Sequence, residues 1–97
     1  MNCAAACVVH SDHPSLAGHF PGEPIVPAVV LLEKVLESLE ISGEKSDVIG
    51  IPSAKFLAPL LPDQRFSIHL QSISAKRVRF ECWREGKALA RGELRLS

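Results

Sequence analysis

The sequence predicts an α+β domain in which a curved antiparallel β-sheet wraps one long central α-helix. Three observations carry that expectation. A single stretch, Pro27 to Leu39, places apolar residues at helical spacing. One strand-like segment precedes it and about four follow it. The later segments are joined by short turn signals, which favour antiparallel neighbours. A helix this apolar needs cover on most of its surface, and a curved sheet supplies it.

The elements follow in order. Residues Asn2 to His10 are small, apolar and partly β-branched, and predict a first strand. "HSDHPSLAGHFPGEP" holds three prolines and two glycines and predicts a loop. In the helix, Val29, Leu32, Leu36 and Leu39 recur at helical spacing, and Val30, Leu31 and Val35 widen the stripe. Pro27 suits the first turn, where its missing N–H has no partner to lose. Glu33, Lys34, Glu37, Ser38 and Glu40 form the polar side, and Gly43 is the expected stop. "VIGIPSAKFLAPLL" predicts a bent or edge strand because of its prolines. "RFSIHLQSI" and "RVRFECWRE" alternate cleanly, "EGK" marks a tight hairpin, and "ALARGELRL" closes the sheet.

Composition narrows the function classes. A chain of 97 residues is expected to form one domain, residues 1–97, small enough for self-association to help bury its core. Eleven basic and eleven acidic side chains cancel, so no surplus points to nucleic acid or an anionic membrane. "MNCAAACVV" lacks the basic n-region of a signal peptide, and no apolar run is long enough to span a bilayer. Cys3, Cys7 and Cys82 form no disulfide framework, and Cys3 and Cys7, four apart, are expected as buried strand thiols rather than metal ligands; a reducing cytoplasm fits. "HSDH" offers His10, Asp12 and His13 but no fourth metal ligand.

One stretch carries chemistry. "GHFPGEPIVPAVVLLE", Gly18 to Glu33, sets a histidine in a proline-rich loop directly before the apolar helix, and an acid ends the aliphatic run. Histidine titrates nearest physiological pH and serves proton transfer in both directions. The Pro21 and Pro24 rings restrict the backbone that presents His19. Glu33 lies six residues beyond Pro27, about 9 Å along the helix. A carboxylate on a wrapped helix is expected to be desolvated and to have a purpose. The first backbone N–H groups of the helix point, unpartnered, at whatever precedes it.

The stretch resembles the signature of the β-hydroxyacyl-acyl carrier protein dehydratases: Gly-His-Phe-Pro, then Pro-Ile-x-Pro-Gly, with an acidic residue fourteen positions after the histidine, as His19 and Glu33 stand here. "DHPSLAGHFPG" is similar to small dehydratases of aryl-polyene and related lipid pathways. "AKFLAPLLPDQRFSIHL" and "VRFECWREGKALARGELRL" resemble the family's later strands. Two departures stand out. The family's motif glycine is Ala28, and its Pro-Gly-Asp turn is reduced to Pro62-Asp63.

The resemblance implies a hot-dog fold and elimination of water from a 3-hydroxyacyl thioester to give the trans-2-enoyl thioester. It implies an acyl carrier protein or coenzyme A thioester as substrate, and no metal or redox cofactor. His19 is then the base at Cα. Glu33 of a partner subunit orients and protonates the leaving group, because the family's sites are shared across a dimer. The Ala28 N–H polarises the thioester carbonyl. Phe20, Pro27, Phe56, Leu57 and Leu60 are candidates to bind substrate along an acyl tunnel, and core packing explains them equally well. Arg65, Lys76, Arg77 and Arg79 are candidates to meet an acidic carrier at the tunnel mouth. The chain is expected as a homodimer, with a heterodimer as the variant. Two rival expectations stay open: an acyl thioesterase on the same fold, and a non-catalytic subunit that binds acyl chains or completes another chain's site.

Overall fold

The computed structural model describes residues 2–14 and 25–97. Its elements are β1 (Asn2–Val8), α1 (Ala28–Ile41), β2 (Val48–Phe56), β3 (Arg65–Ser74), β4 (Arg77–Arg84) and β5 (Lys87–Leu96). The strands form one antiparallel sheet in the order β1-β3-β4-β5-β2. β3, β4 and β5 are joined by hairpins. In the last of these, Glu85 and Gly86 both take left-handed conformations (φ 50° and 76°), the turn whose twist matches its flanking strands. The chain after α1 instead crosses to the far edge and lays β2 beside β5, a pairing between distant segments that local pattern does not reveal.

One face of the sheet meets α1. Val30, Leu31, Val35 and Leu39 of the helix join Phe66, Ile68, Leu70, Val78, Phe80 and Leu94 of the sheet in a single apolar core. The strand alternation expected from sequence sets this face: Phe66, Ile68 and Leu70 are buried, while His69 and Gln71 are exposed. Ser38, placed on the polar side by sequence, is buried instead. It satisfies its hydroxyl by donating to the Lys34 carbonyl at 2.9 Å, so burial leaves no orphan donor. The helix ends where Gly43 turns left-handed (φ 96°) and donates to the Glu40 carbonyl at 3.1 Å.

The helix is less covered than its sequence suggests. Val29 is 59% exposed and Leu36 37% exposed. With Glu33 and Glu40 they form a stripe at i, i+4, i+7 and i+11 that faces away from the sheet. The reason is geometric: α1 lies over one face of one five-stranded sheet, which touches only one side of it.

β2 is the edge strand that its prolines predicted. The register with β5 slips between Gly50 and Ser53, a bulge that holds Pro52, whose missing N–H would break a regular ladder. Opposite Ala54 in that ladder, Gly92 allows β2 to close down. A Cβ at Gly92 would run into the Ser53 carbonyl oxygen and lie 2.7 Å from the Phe80 ring. Cys82 is wholly buried, and burial, with Cys7 adding to it, pushes its thiol up to about 12. Cys3 and Cys7 are free thiols, partly buried. Among the described residues, no helix is long and apolar enough to cross a membrane.

Candidate active site

Two segments converge at the start of the helix. Pro27, extended at φ −61° and ψ 149°, is the N-cap. Its carbonyl accepts N–H bonds from Val30 at 3.0 Å and Leu31 at 3.2 Å. The N–H groups of Ala28 and Val29 have no such partner among the described residues, and the helix dipole adds partial positive charge there. Just ahead, the Val26 N–H donates to the Leu60 carbonyl at 2.8 Å. That bond ties the approach to α1 to the connector between β2 and β3. The connector is itself pinned to β5, because Leu57 and Ala58 both donate to the Leu89 carbonyl, at 2.8 and 3.3 Å.

Between these segments lies a concavity of about 260 Å³. Ile25, Val26, Ala28 and Leu31 line it from the helix side, and Phe56 to Leu60 from the connector side. Among the described residues, no titratable side chain is in that wall. Such a pocket accepts an apolar chain, and its polar feature is the unpartnered backbone of the helix start. An oxyanion placed there would meet preorganised N–H groups.

The candidates sort as follows. Ala28, Phe56, Leu57 and Leu60 are brought together in one wall. Leu60 is 3% exposed and belongs to the core as well, whereas Phe56 and Leu57 sit at the mouth, 44% and 49% exposed. Pro27 is not in the wall and instead caps the helix, because its carbonyl turns inward to the first helical N–H groups. His19 and Phe20 lie outside the described residues.

Glu33 is exposed, contrary to the desolvation expected of it. It stands five residues after Ala28, hence about 140° further round the helix. It faces away from the pocket of its own chain, between the exposed Val29 and Leu36. Lys34 pairs with Glu37 at 3.5 Å, not with Glu33.

Of the cations expected at the mouth, Arg65 starts β3 opposite Val8, at the pocket end of the sheet. Lys76 and Arg77 lie at the other end, where Ser74 pairs with Arg77, and Arg79 is on the outer face. The pocket end holds two cations not singled out from sequence. Arg84 and Lys87 line a second cleft of about 320 Å³ that shares Ala58 and Pro59 with the first.

Asp63, not singled out as a site residue from sequence, ties the pocket's connector to the rest of the chain. Its N–H donates to the Val9 carbonyl at 2.7 Å, and its Oδ1 accepts the Ser11 N–H at 3.1 Å and lies 3.6 Å from His10 Nδ1. It holds a left-handed φ of 64°, which Asp and Asn tolerate better than most residues. One connector therefore bonds to the chain both at residues 9–11, through Asp63, and at Val26, through Leu60. The signal was present as Pro62-Asp63, which sequence marks as a turn and as a shortened motif but not as a tie to residues 9–11.

Comparison with known proteins bears on this geometry. The model of the ApeI-like family, described as ApeI dehydratase, matches residues 1–93. A 3-hydroxyacyl-[acyl-carrier-protein] dehydratase FabZ of Haemophilus influenzae is 35% identical over 75 residues, covering 68% of this chain and 51% of the relative. The FabZ of an Anaeromyxobacter species is 31% identical over 98 residues, covering 88% of this chain and 60% of the relative. The chain thus spans about half the length of the curated relatives it matches. Among solved structures, the dehydratase heterocomplex ApeI:P from Xenorhabdus doucetiae superposes with a TM-score of 0.87 at 18% identity, over 98% of this chain and 86% of that one. This likeness establishes the hot-dog fold.

Proposed function

The chain belongs to the ApeI-like dehydratase family, and on that premise we propose that it converts a 3-hydroxyacyl thioester, carried on an acyl carrier protein, to the trans-2-enoyl thioester. The observation that carries this reading is the apolar pocket built on an unpartnered helix N-terminus. The acyl thioester sits in it with its carbonyl oxygen toward the Ala28 N–H. His19 removes the proton at Cα, and the Ala28 N–H holds the negative charge that develops on the carbonyl oxygen. The C3–O bond breaks as a carboxyl group protonates the departing hydroxyl, and water leaves.

That carboxyl is Glu33 of a second copy. Two facts support the assignment. Glu33 faces away from its own pocket, and it sits in an exposed apolar stripe that a second copy would cover. Ala28 in place of the family's glycine does not weaken the reading, since Ala28 opens α1 and is not among the residues with positive φ.

The direct test is incubation of the purified protein with a 3-hydroxyacyl-carrier thioester. Appearance of the conjugated enoyl product is expected. Release of free acid from a saturated acyl thioester would favour the thioesterase, and inertness toward both would favour a subunit that needs another chain.

A further inference from the structure

The outer face of the sheet carries a charge pattern that stability does not call for. Alternation along the strands, with Ala54, Phe80, Ala90, Leu94 and Leu96 on the core side, turns Lys55, Arg77, Arg79, Arg91 and Arg95 outward together with Glu81 and Glu93. Five cations against two anions leave three in excess, in a chain whose totals are equal at 11 and 11. The balancing acids lie on and after the helix: Glu33, Glu37, Glu40, Glu44 and Asp47 against Lys34 and Lys45.

The register sharpens this. Lys55 stands directly opposite Arg91, and Arg77 directly opposite Arg95. Like charges directly opposite in an antiparallel pair destabilise it. Arg77 offsets its share by pairing with Glu93 at 3.0 Å. Lys55, Arg79, Arg91 and Arg95 are exposed and make no ion pair among the described residues. On the β4–β5 ladder Arg79 stands opposite Glu93 and Arg91 opposite Glu81, but Lys55 and Arg95 have no acid opposite them, and with the excess of three cations they mark a surface that meets an anion.

The basic face is continuous with the pocket. Lys55 immediately precedes Phe56, whose side chain lies on the opposite face at the pocket mouth. The two surfaces meet around the end of β2. We infer that the outer sheet face around Lys55, Arg79, Arg91 and Arg95 docks the acidic surface of the carrier protein, whose acyl-bearing arm then passes around the end of β2 into the pocket at Ala28. This rests on the dehydratase reading and adds the surface that selects a carrier-bound substrate over a free one. Such a surface acts mainly on encounter and is screened by salt.

The test is the double variant Lys55→Glu, Arg95→Glu. Each substitution replaces a like-charge pair with an opposite-charge pair, so the variant is expected to melt at or above the wild-type temperature. Its KM for a 3-hydroxyacyl-carrier thioester should rise about tenfold or more with kcat within twofold, on the scale of lost interfacial charge pairs. Its KM for the matching 3-hydroxyacyl-pantetheine thioester, which lacks the protein, should not change. Added salt should raise the wild-type KM for the carrier substrate and leave the variant's unmoved. Equal effects on both substrates, or on neither, would overturn the assignment. So would loss of binding to phosphatidylglycerol vesicles with the carrier KM intact, which would make the face a membrane surface. If the wild type dehydrates neither thioester, the functional reading fails by itself. Docking is then judged by calorimetric titration of the unacylated holo-carrier into wild type and variant, with weaker binding by the variant expected and equal binding contradicting it.

Discussion

Asp63 shows how one side chain ties the site to the fold. It joins the chain just after β1 to the connector that also walls the pocket, and it does so in a left-handed conformation. Asp63→Ala removes the acceptor for the Ser11 N–H and strains the backbone, so a loss of about 0.5–2 kcal/mol is expected, as for a lost helix cap. Asp63→Asn keeps both an acceptor oxygen and tolerance of positive φ, and should recover most of that stability. Thermal melts of the two variants decide it; equal melting temperatures would show that the Ser11 contact is idle. The same residue marks a limit of sequence reading. Pro62-Asp63 declares a turn, but a bond spanning 52 positions is set by tertiary packing. Ala28 shows a second limit: the sequence shows only that alanine stands where the family's motif has glycine, and the structure adds that the position opens the helix without a positive φ.

At the scale of elements, local pattern carried the reading furthest. Helical spacing located α1 to within two residues at its C-terminal end, and alternation located β3, β4 and β5. These signals are local because each element buries one face against a single core. The position of β2 was not legible, since neighbouring β5 depends on a crossover. Gly92, in β5, is what that arrangement requires: β2's Ser53 carbonyl and the Phe80 ring occupy the space of a side chain. Gly92→Ala should therefore destabilise the fold by about 1–3 kcal/mol, the usual cost of overpacking. A chemical denaturation midpoint measures it, and an unchanged midpoint would mean that β2 does not close on β5 this tightly. The exposure of Glu33 also belongs to this scale. The aliphatic run predicted a helix covered on most sides, but one sheet covers one side, and hydropathy does not say what covers the other.

The whole molecule leaves Val29 and Leu36 uncovered on the helix, and Phe56 and Leu57 at the pocket mouth. Unpartnered N–H groups at the start of α1 border its pocket, no acid or base lines that pocket among the described residues, and Glu33 faces outward. These features fit half of a site that a second copy completes, with His19 of one chain meeting Glu33 of the other. That arrangement predicts complementation between two inactive variants. His19→Ala and Glu33→Gln should each fall on the order of 10²–10⁴ in turnover. Refolded together in equal amounts, half of the dimers carry both variants, and each of these holds one intact site of two. The mixture should regain about a quarter of wild-type activity. A mixture no more active than the mean of its two components would contradict the shared site and place the acid and base within one chain.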